Sequence, residues 1–175
     1  YVDFSRPEAQ RLADLNGIDF DLRTVSEYCD LFLSKEYPGT SREESQVMAA
    51  LCVAAIVSYG RTISSGVRTG ITLEQIEKLP EHLQEAHRYF KDFRDKFVAH
   101  SVNALEENTV KAYLVPAERG PRAVASISVQ HGRVMMLSGY DMTGLRDLAN
   151  ALIAIVATDA EIENKAVLEL ARSLP

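Results

Sequence analysis

An arginine, an aspartate, a lysine and a histidine fall within seven residues in the run Arg94-Asp95-Lys96-Phe97-Val98-Ala99-His100. Together they offer acid–base and anion chemistry. An imidazole moves protons near neutral pH. A guanidinium grips an oxyanion through two parallel N–H bonds and stabilises charge as it develops. Asp95 can orient either group. Two more cations, Arg61 and Arg68, stand in the loop Tyr59-Gly60-Arg61-Thr62-Ile63-Ser64-Ser65-Gly66-Val67-Arg68, and an amide, Asn103, follows the histidine. The candidate catalytic residues are therefore Arg94, Asp95 and His100. Arg61, Arg68, Lys96 and Asn103 are candidate substrate contacts.

These groups must be positioned by a helix predicted from about Glu81 to Ala99. Leu83, Ala86, Phe90, Phe93 and Phe97 recur at three- and four-residue steps and define its apolar face. At 100° per residue Arg94 falls near the middle of that face, and His100 at its edge. An arginine on an apolar face is costly unless it is paired or lines a cleft. Such conflicts between pattern and residue concentrate at functional or strained sites. Arg94 and His100 would lie about 9 Å apart along an ideal helix and roughly 120° apart around it. That spacing favours a site completed by a second chain, or by the turn that ends the helix. A structural role competes with this. A histidine at a helix C-terminus interacts well with the helix dipole, and Arg94 with Asp95 can fasten the helix to Tyr59–Arg61 or Asn103.

The rest of the chain supplies a helical body. Ser5 with Glu8 forms a capping-box pattern for a helix over Ser5–Asn16, which Asn16-Gly17 would stop. A second helix is predicted over Asp21–Lys35, ended by Tyr37-Pro38-Gly39. A third starts at Ser41, capped with Glu44, and is apolar on nearly every side from Val47 to Val57, as expected of a helix covered by several neighbours. Thr72 with Gln75 caps a short turn before Pro80. After Glu106-Glu107-Asn108 the apolar period changes to two. Thr109–Val115, Arg122–Val129 and Arg133–Leu137 read as three strands, with His131-Gly132 at a hairpin tip. A last helix over Thr143–Arg172 carries the stripe Leu145, Leu148, Leu152, Ile155, which Asp159 interrupts. Its length suits contact with another subunit. The expected fold is one mainly α domain, 1–175, with a three-stranded antiparallel meander at 109–138 before the last helix.

Composition narrows the function classes. Nineteen basic against 25 acidic residues give a net charge of −6, which argues against broad nucleic-acid binding but leaves room for a small basic pocket. Cys29 and Cys52 stand apart from any CxxC or Cys/His cluster, so a reduced, cytoplasmic compartment is expected, without metal or cofactor. No apolar run of membrane-spanning length is read in the sequence. The spacing of His82 and His87 is poor for metal ligands, and both read as solvated positions. No Walker loop, GxGxxG or GxSxG occurs.

The run Arg94-Asp95-Lys96-x-x-Ala99-His100-Ser101, with the Tyr59-Gly60-Arg61…Gly66-Val67-Arg68 loop, resembles the HEPN superfamily, in a bacterial branch found among abortive-infection proteins. The three-stranded insertion departs from the plainest form of that family. The resemblance implies a HEPN-like helical bundle and a two-fold homodimer in which two motif copies share one cleft. It also implies metal-independent cleavage of RNA, with Arg94 on the phosphate and His100 moving protons. Phage defence or a toxin–antitoxin pair, with an antitoxin or defence partner, is the setting it implies. The alternatives are RNA binding without turnover and a non-catalytic interaction or scaffold domain in which the Arg/Asp/His network is structural.

Overall fold

A computed structural model describes residues 3–4, 6–35, 39–64, 66, 68–95, 106–116, 118, 120, 123–133 and 136–174. After a 3-10 turn at Pro7–Ala9 come helices α1 (Gln10–Leu33), α2 (Arg42–Ile63), α3 (Leu73–Glu77) and α4 (Glu81–Phe93). Strands β1 (Glu106–Leu114) and β2 (Val124–Arg133) precede the long helix α5 (Gly139–Ser173). The fold is mainly helical with a small antiparallel sheet before the last helix, as the change of apolar period implies.

Helix α1 runs unbroken where two helices were expected. Leu15, Ile18, Leu22, Val25, Cys29 and Phe32 step by three and four along one face, each at most 1% exposed. Each such side chain contributes about 1.5–3 kcal/mol by leaving water, which outweighs the roughly 1 kcal/mol cost of a helical glycine. Gly17 is a clearance site rather than a stop. A Cβ there would lie 2.8 Å from Arg68 Nη1. Ser5 and residues 36–38, read as a cap and a breaker, lie outside the described residues.

Helices α2 and α5 pack against α1. Ser26 Oγ donates to Asn150 Oδ1 at 3.0 Å and Arg146 pairs with Asp30 at 3.2 Å. These contacts set α1 and α5 antiparallel. The cap of α2 is as expected, with both bonds of the Ser41–Glu44 capping box formed. Its burial is not. Met48, Cys52, Ala55, Ile56 and Tyr59 enter the core, but Val47, Val53 and Val57 are exposed. The helix is long and apolar enough by composition to cross a membrane, against the sequence expectation, and 44% of its apolar window is buried in the bundle. Among the described residues α1 is its broadest neighbour, and the side carrying Val47, Val53 and Val57 stays uncovered.

The Thr72–Gln75 capping box is also formed, and Gln75 is buried. Its Nε2 donates to Asp159 Oδ2 at 2.7 Å. Asp159 thus interrupts the apolar stripe of α5 in order to receive α3. Helix α5 begins at a Ser138–Asp141 capping box, four residues before the expected start at Thr143. Its last buried residue is Val156, and Ile162 and Leu168 beyond it are exposed.

Two strands are present among the described residues, not three. β2 continues through the expected tip, with Asn108 opposite His131 and Glu107 opposite Gly132. The side chains of Asn108 and His131 also hydrogen-bond across the pair. A partner strand long enough to pair with Gly132 removes the need for a turn there. Leu137, expected in a third strand, is instead buried in the helical core ahead of α5.

Candidate functional site

Arg94 and Asp95 follow directly on the last turn of α4, with Arg94 still in the right-handed helical region. The stem of Arg94 lies on Gly60 of α2. A Cβ at residue 60 would fall 2.9 Å from Nε and 3.0 Å from Cγ of Arg94. Gly60 therefore makes the seat that lets an arginine occupy the apolar face of α4. The charged end is not sealed, since the side chain is 39% exposed. Its Nη1 donates to Asp95 Oδ1 at 2.7 Å, and Lys91 Nζ donates to Asp95 Oδ2 at 2.9 Å. The bond from Arg94, then that from Lys91, holds the Asp95 carboxyl below the usual carboxylate range. Asp95 stays ionised and fixes two cations. One carboxylate oxygen takes one of the five N–H donors a guanidinium carries.

Arg61 follows Gly60 at the C-terminal end of α2, and its side chain is 66% exposed. It lies 3.5 Å from Asp21 Oδ1. Arg68, also a candidate substrate contact, is tied to its own chain. Its Nη2 donates to Asp21 Oδ2 at 2.7 Å and to the Arg61 carbonyl at 2.9 Å. The Asp21 side chain is only 6% exposed, so this cation is matched inside its own chain. Asp14, two turns earlier on α1, accepts from the Thr69 backbone N–H at 2.9 Å and from Gln10 Nε2 at 2.8 Å. Burial opposes ionisation of Asp14, yet the bonds from Thr69 and Gln10 prevail and lower its pKa. The Ile71 N–H completes the anchorage by donating to the Thr62 carbonyl at 2.7 Å. The described part of the loop after α2 is held by two buried carboxylates of α1 and by the end of α2. Lys96, His100 and Asn103 lie outside the described residues.

His87 is not the solvated position the sequence suggested. Its Nδ1 lies 2.6 Å from the hydroxyl of Tyr59, a fully buried residue of α2. Burial, then the charges of Lys91 and Arg88, lower the His87 pKa, and burial raises that of Tyr59. Both groups are held in their neutral forms and share one hydrogen bond between the ring nitrogen and the hydroxyl. His87 stands seven residues before Arg94, about 10 Å along the same face of the helix. The angular argument that singles out Arg94 would have found it too. Judging His87 only by its spacing from His82 concealed it.

Other chemistry is poorly provided for. Among the described residues no group of three or more His, Cys, Asp or Glu is placed to hold a metal. Both cysteines are buried and free, and burial pushes the Cys29 thiol up to about 12. A cleft of about 480 Å³ lies between α4 and the start of α5, lined in part by His82, Glu85, Tyr89, Tyr140, Asp141 and Asp147. Its three carboxylates would repel a phosphate. The cationic end of α4 is thus the better place for an anion. No family model, curated protein or solved structure matches this chain.

Proposed function

We propose that the end of α4 handles an RNA phosphate, in a HEPN-like, metal-independent endoribonuclease. The observation that carries this reading is Arg94, seated on Gly60 within an apolar helix face yet 39% exposed at its charged side chain. In this reaction the 2′-oxygen attacks phosphorus and loses its proton to a base. The bond from phosphorus to the 5′-oxygen breaks, and an acid protonates the leaving oxygen. A cyclic phosphate and a 5′-hydroxyl result. His100 is assigned the proton transfers. Arg94 stabilises charge on the phosphorane oxygens, Asp95 orients Arg94, and Lys96, Arg61 and Asn103 contact flanking nucleotides. Arg68, already bound to Asp21 and to the Arg61 carbonyl, secures the loop that follows Arg61. Two copies sharing one cleft would supply both a base and an acid. A cytoplasmic role in phage defence or a toxin–antitoxin pair, with an antitoxin partner, belongs to this proposal.

A second reading, a non-catalytic interaction domain, draws on the same site. Lys91, Arg94 and Asp95 already form a local ion-pair network. Total RNA incubated with the protein in chelator separates the two. Cleavage to ends with cyclic phosphate should fall about 100- to 1,000-fold in Arg94→Ala and vanish in His100→Ala, with cooperative unfolding kept in both. No cleavage by the wild type, or equal cleavage by Arg94→Ala, rejects the ribonuclease.

A further inference from the structure

The cleft of about 480 Å³ between α4 and the start of α5 has the volume of a small-molecule site. Tyr140, Gly144 and Asp147 follow at steps of four and three residues, so one face of α5 makes a wall about 10 Å long. His82, Glu85 and Tyr89 make a wall of about the same length on α4. Gly144 stands in the middle of its wall. Gly17 and Gly60 give up their side chains to Arg68 and Arg94, but a Cβ at Gly144 would meet no atom within 4 Å. A glycine in the second turn of a helix costs about 1 kcal/mol against alanine. Nothing in the chain takes up the space it leaves, and that space belongs to the cleft. The lining holds three carboxylates and, among the described residues, no lysine or arginine. Glu85 is exposed and has no ion pair among the described residues. Asp147 lies 3.5 Å from Arg146 and is 55% exposed. Asp141 accepts from Ser138 Oγ at 2.6 Å. Burial, then the charge of Asp141 and a hydrogen bond with it, raises the pKa of Tyr89, so its ring stays neutral. Tyr140 is 88% exposed.

We propose that this cleft binds a small aliphatic polyamine. Three properties select that ligand. Carboxylates on both walls attract positive charge, and no lysine or arginine among the lining residues opposes them. The carboxylates are spread out, since Asp141 and Asp147 lie about 9 Å apart along α5. That separation suits charges at the two ends of a chain better than one ion. Among the described residues no three acidic, histidine or cysteine groups are placed to hold a metal. The surface between the carboxylates is apolar or aromatic. Leu83 and Ala86 line it with the two tyrosines, and they cover a methylene stem while the tyrosine faces attract the ammonium groups. The inference is independent of the RNA reading, because this cleft lies between α4 and α5 whereas Arg94 rests on α2.

Calorimetric titration of the full chain with spermidine at about physiological salt should show one site, with a Kd of about 10–100 μM. Gly144→Leu fills the cleft without changing any charge. It should weaken binding at least about tenfold, while melting holds or rises because the helix gains propensity. Glu85→Gln with Asp147→Asn should also weaken binding at least about tenfold, and Tyr140→Ala about two- to fivefold. Glu163→Gln with Glu169→Gln removes two charges from the far end of α5 and should leave binding unchanged. A wild type that gives no binding at about 1 mM spermidine overturns the proposal. So does binding that Gly144→Leu leaves intact, or that the two double variants weaken equally, since either assigns the heat to counterion attraction by an acidic surface. A tri-lysine peptide that binds at least about tenfold tighter than spermidine, and is lost in Gly144→Leu, would assign the cleft to a partner's lysines and equally overturns it.

Discussion

Replacing Asp21 by alanine should loosen the loop after α2, and the size of the effect follows from its partners. The carboxylate is 6% exposed and receives Arg68 at 2.7 Å, with Arg61 more distant at 3.5 Å. Breaking a fully buried pair costs about 3–5 kcal/mol, mainly because the surviving charge is left dry. Arg68 is 27% exposed, so water recovers part of that, and Arg61, mostly in solvent, adds under about 0.5 kcal/mol. A loss of about 2–3 kcal/mol is expected, a fall in Tm of about 5–10 °C for a domain of this size. Thermal and urea unfolding of Asp21→Ala, Arg68→Leu and the double variant measure it. Removing both partners should cost much less than the two single losses together, with a coupling above about 1 kcal/mol. Single losses below about 0.5 kcal/mol that simply add would refute the argument that this pair anchors the loop.

Two further expectations come from the seat of Arg94 and from the histidine behind it. Gly60→Ala should gain helix propensity on α2, by up to about 1 kcal/mol, while its new Cβ pushes aside a flexible side chain it would meet at 2.9 Å. Stability should hold or rise and RNA cleavage should drop, read by melting and gel assay. His87 titrates below 6.5 in the folded chain because burial disfavours its charged form. The unfolded chain therefore binds a proton first as pH falls. The stability from His87 should be complete above pH 6.5 and decline as pH drops from 6.5 toward the lower folded value, with denaturation midpoints losing that slope in His87→Phe.

Local rules were legible in the sequence wherever local energy decides the outcome. The boxes at Ser41–Glu44 and Thr72–Gln75 are formed because the partners are three residues apart and need nothing from the rest of the fold. The conflict at Arg94 was visible for a similar reason, since helical periodicity alone places it among apolar residues. What periodicity cannot show is what lies across the gap. Asn16-Gly17 reads as a stop until Arg68 is seen resting on Gly17. Asp14 and Asp21 can be buried, and Asp159 can interrupt an apolar stripe, because Thr69, Arg68 and Gln75 reach them from 55, 47 and 84 residues away.

The sequence by itself determined a helical body, a switch to strands ahead of the last helix, and a cationic cluster at the end of one helix. Those follow from spacing, caps and side-chain chemistry within a few turns. Only the tertiary structure decided that α1 is one helix, that β2 runs through Gly132, and that Arg68 pairs with Asp21 while the stem of Arg94 rests on Gly60. Each depends on a partner distant in the chain. A buried charge or a helical glycine is stable only where that partner supplies a hydrogen bond or takes up the space.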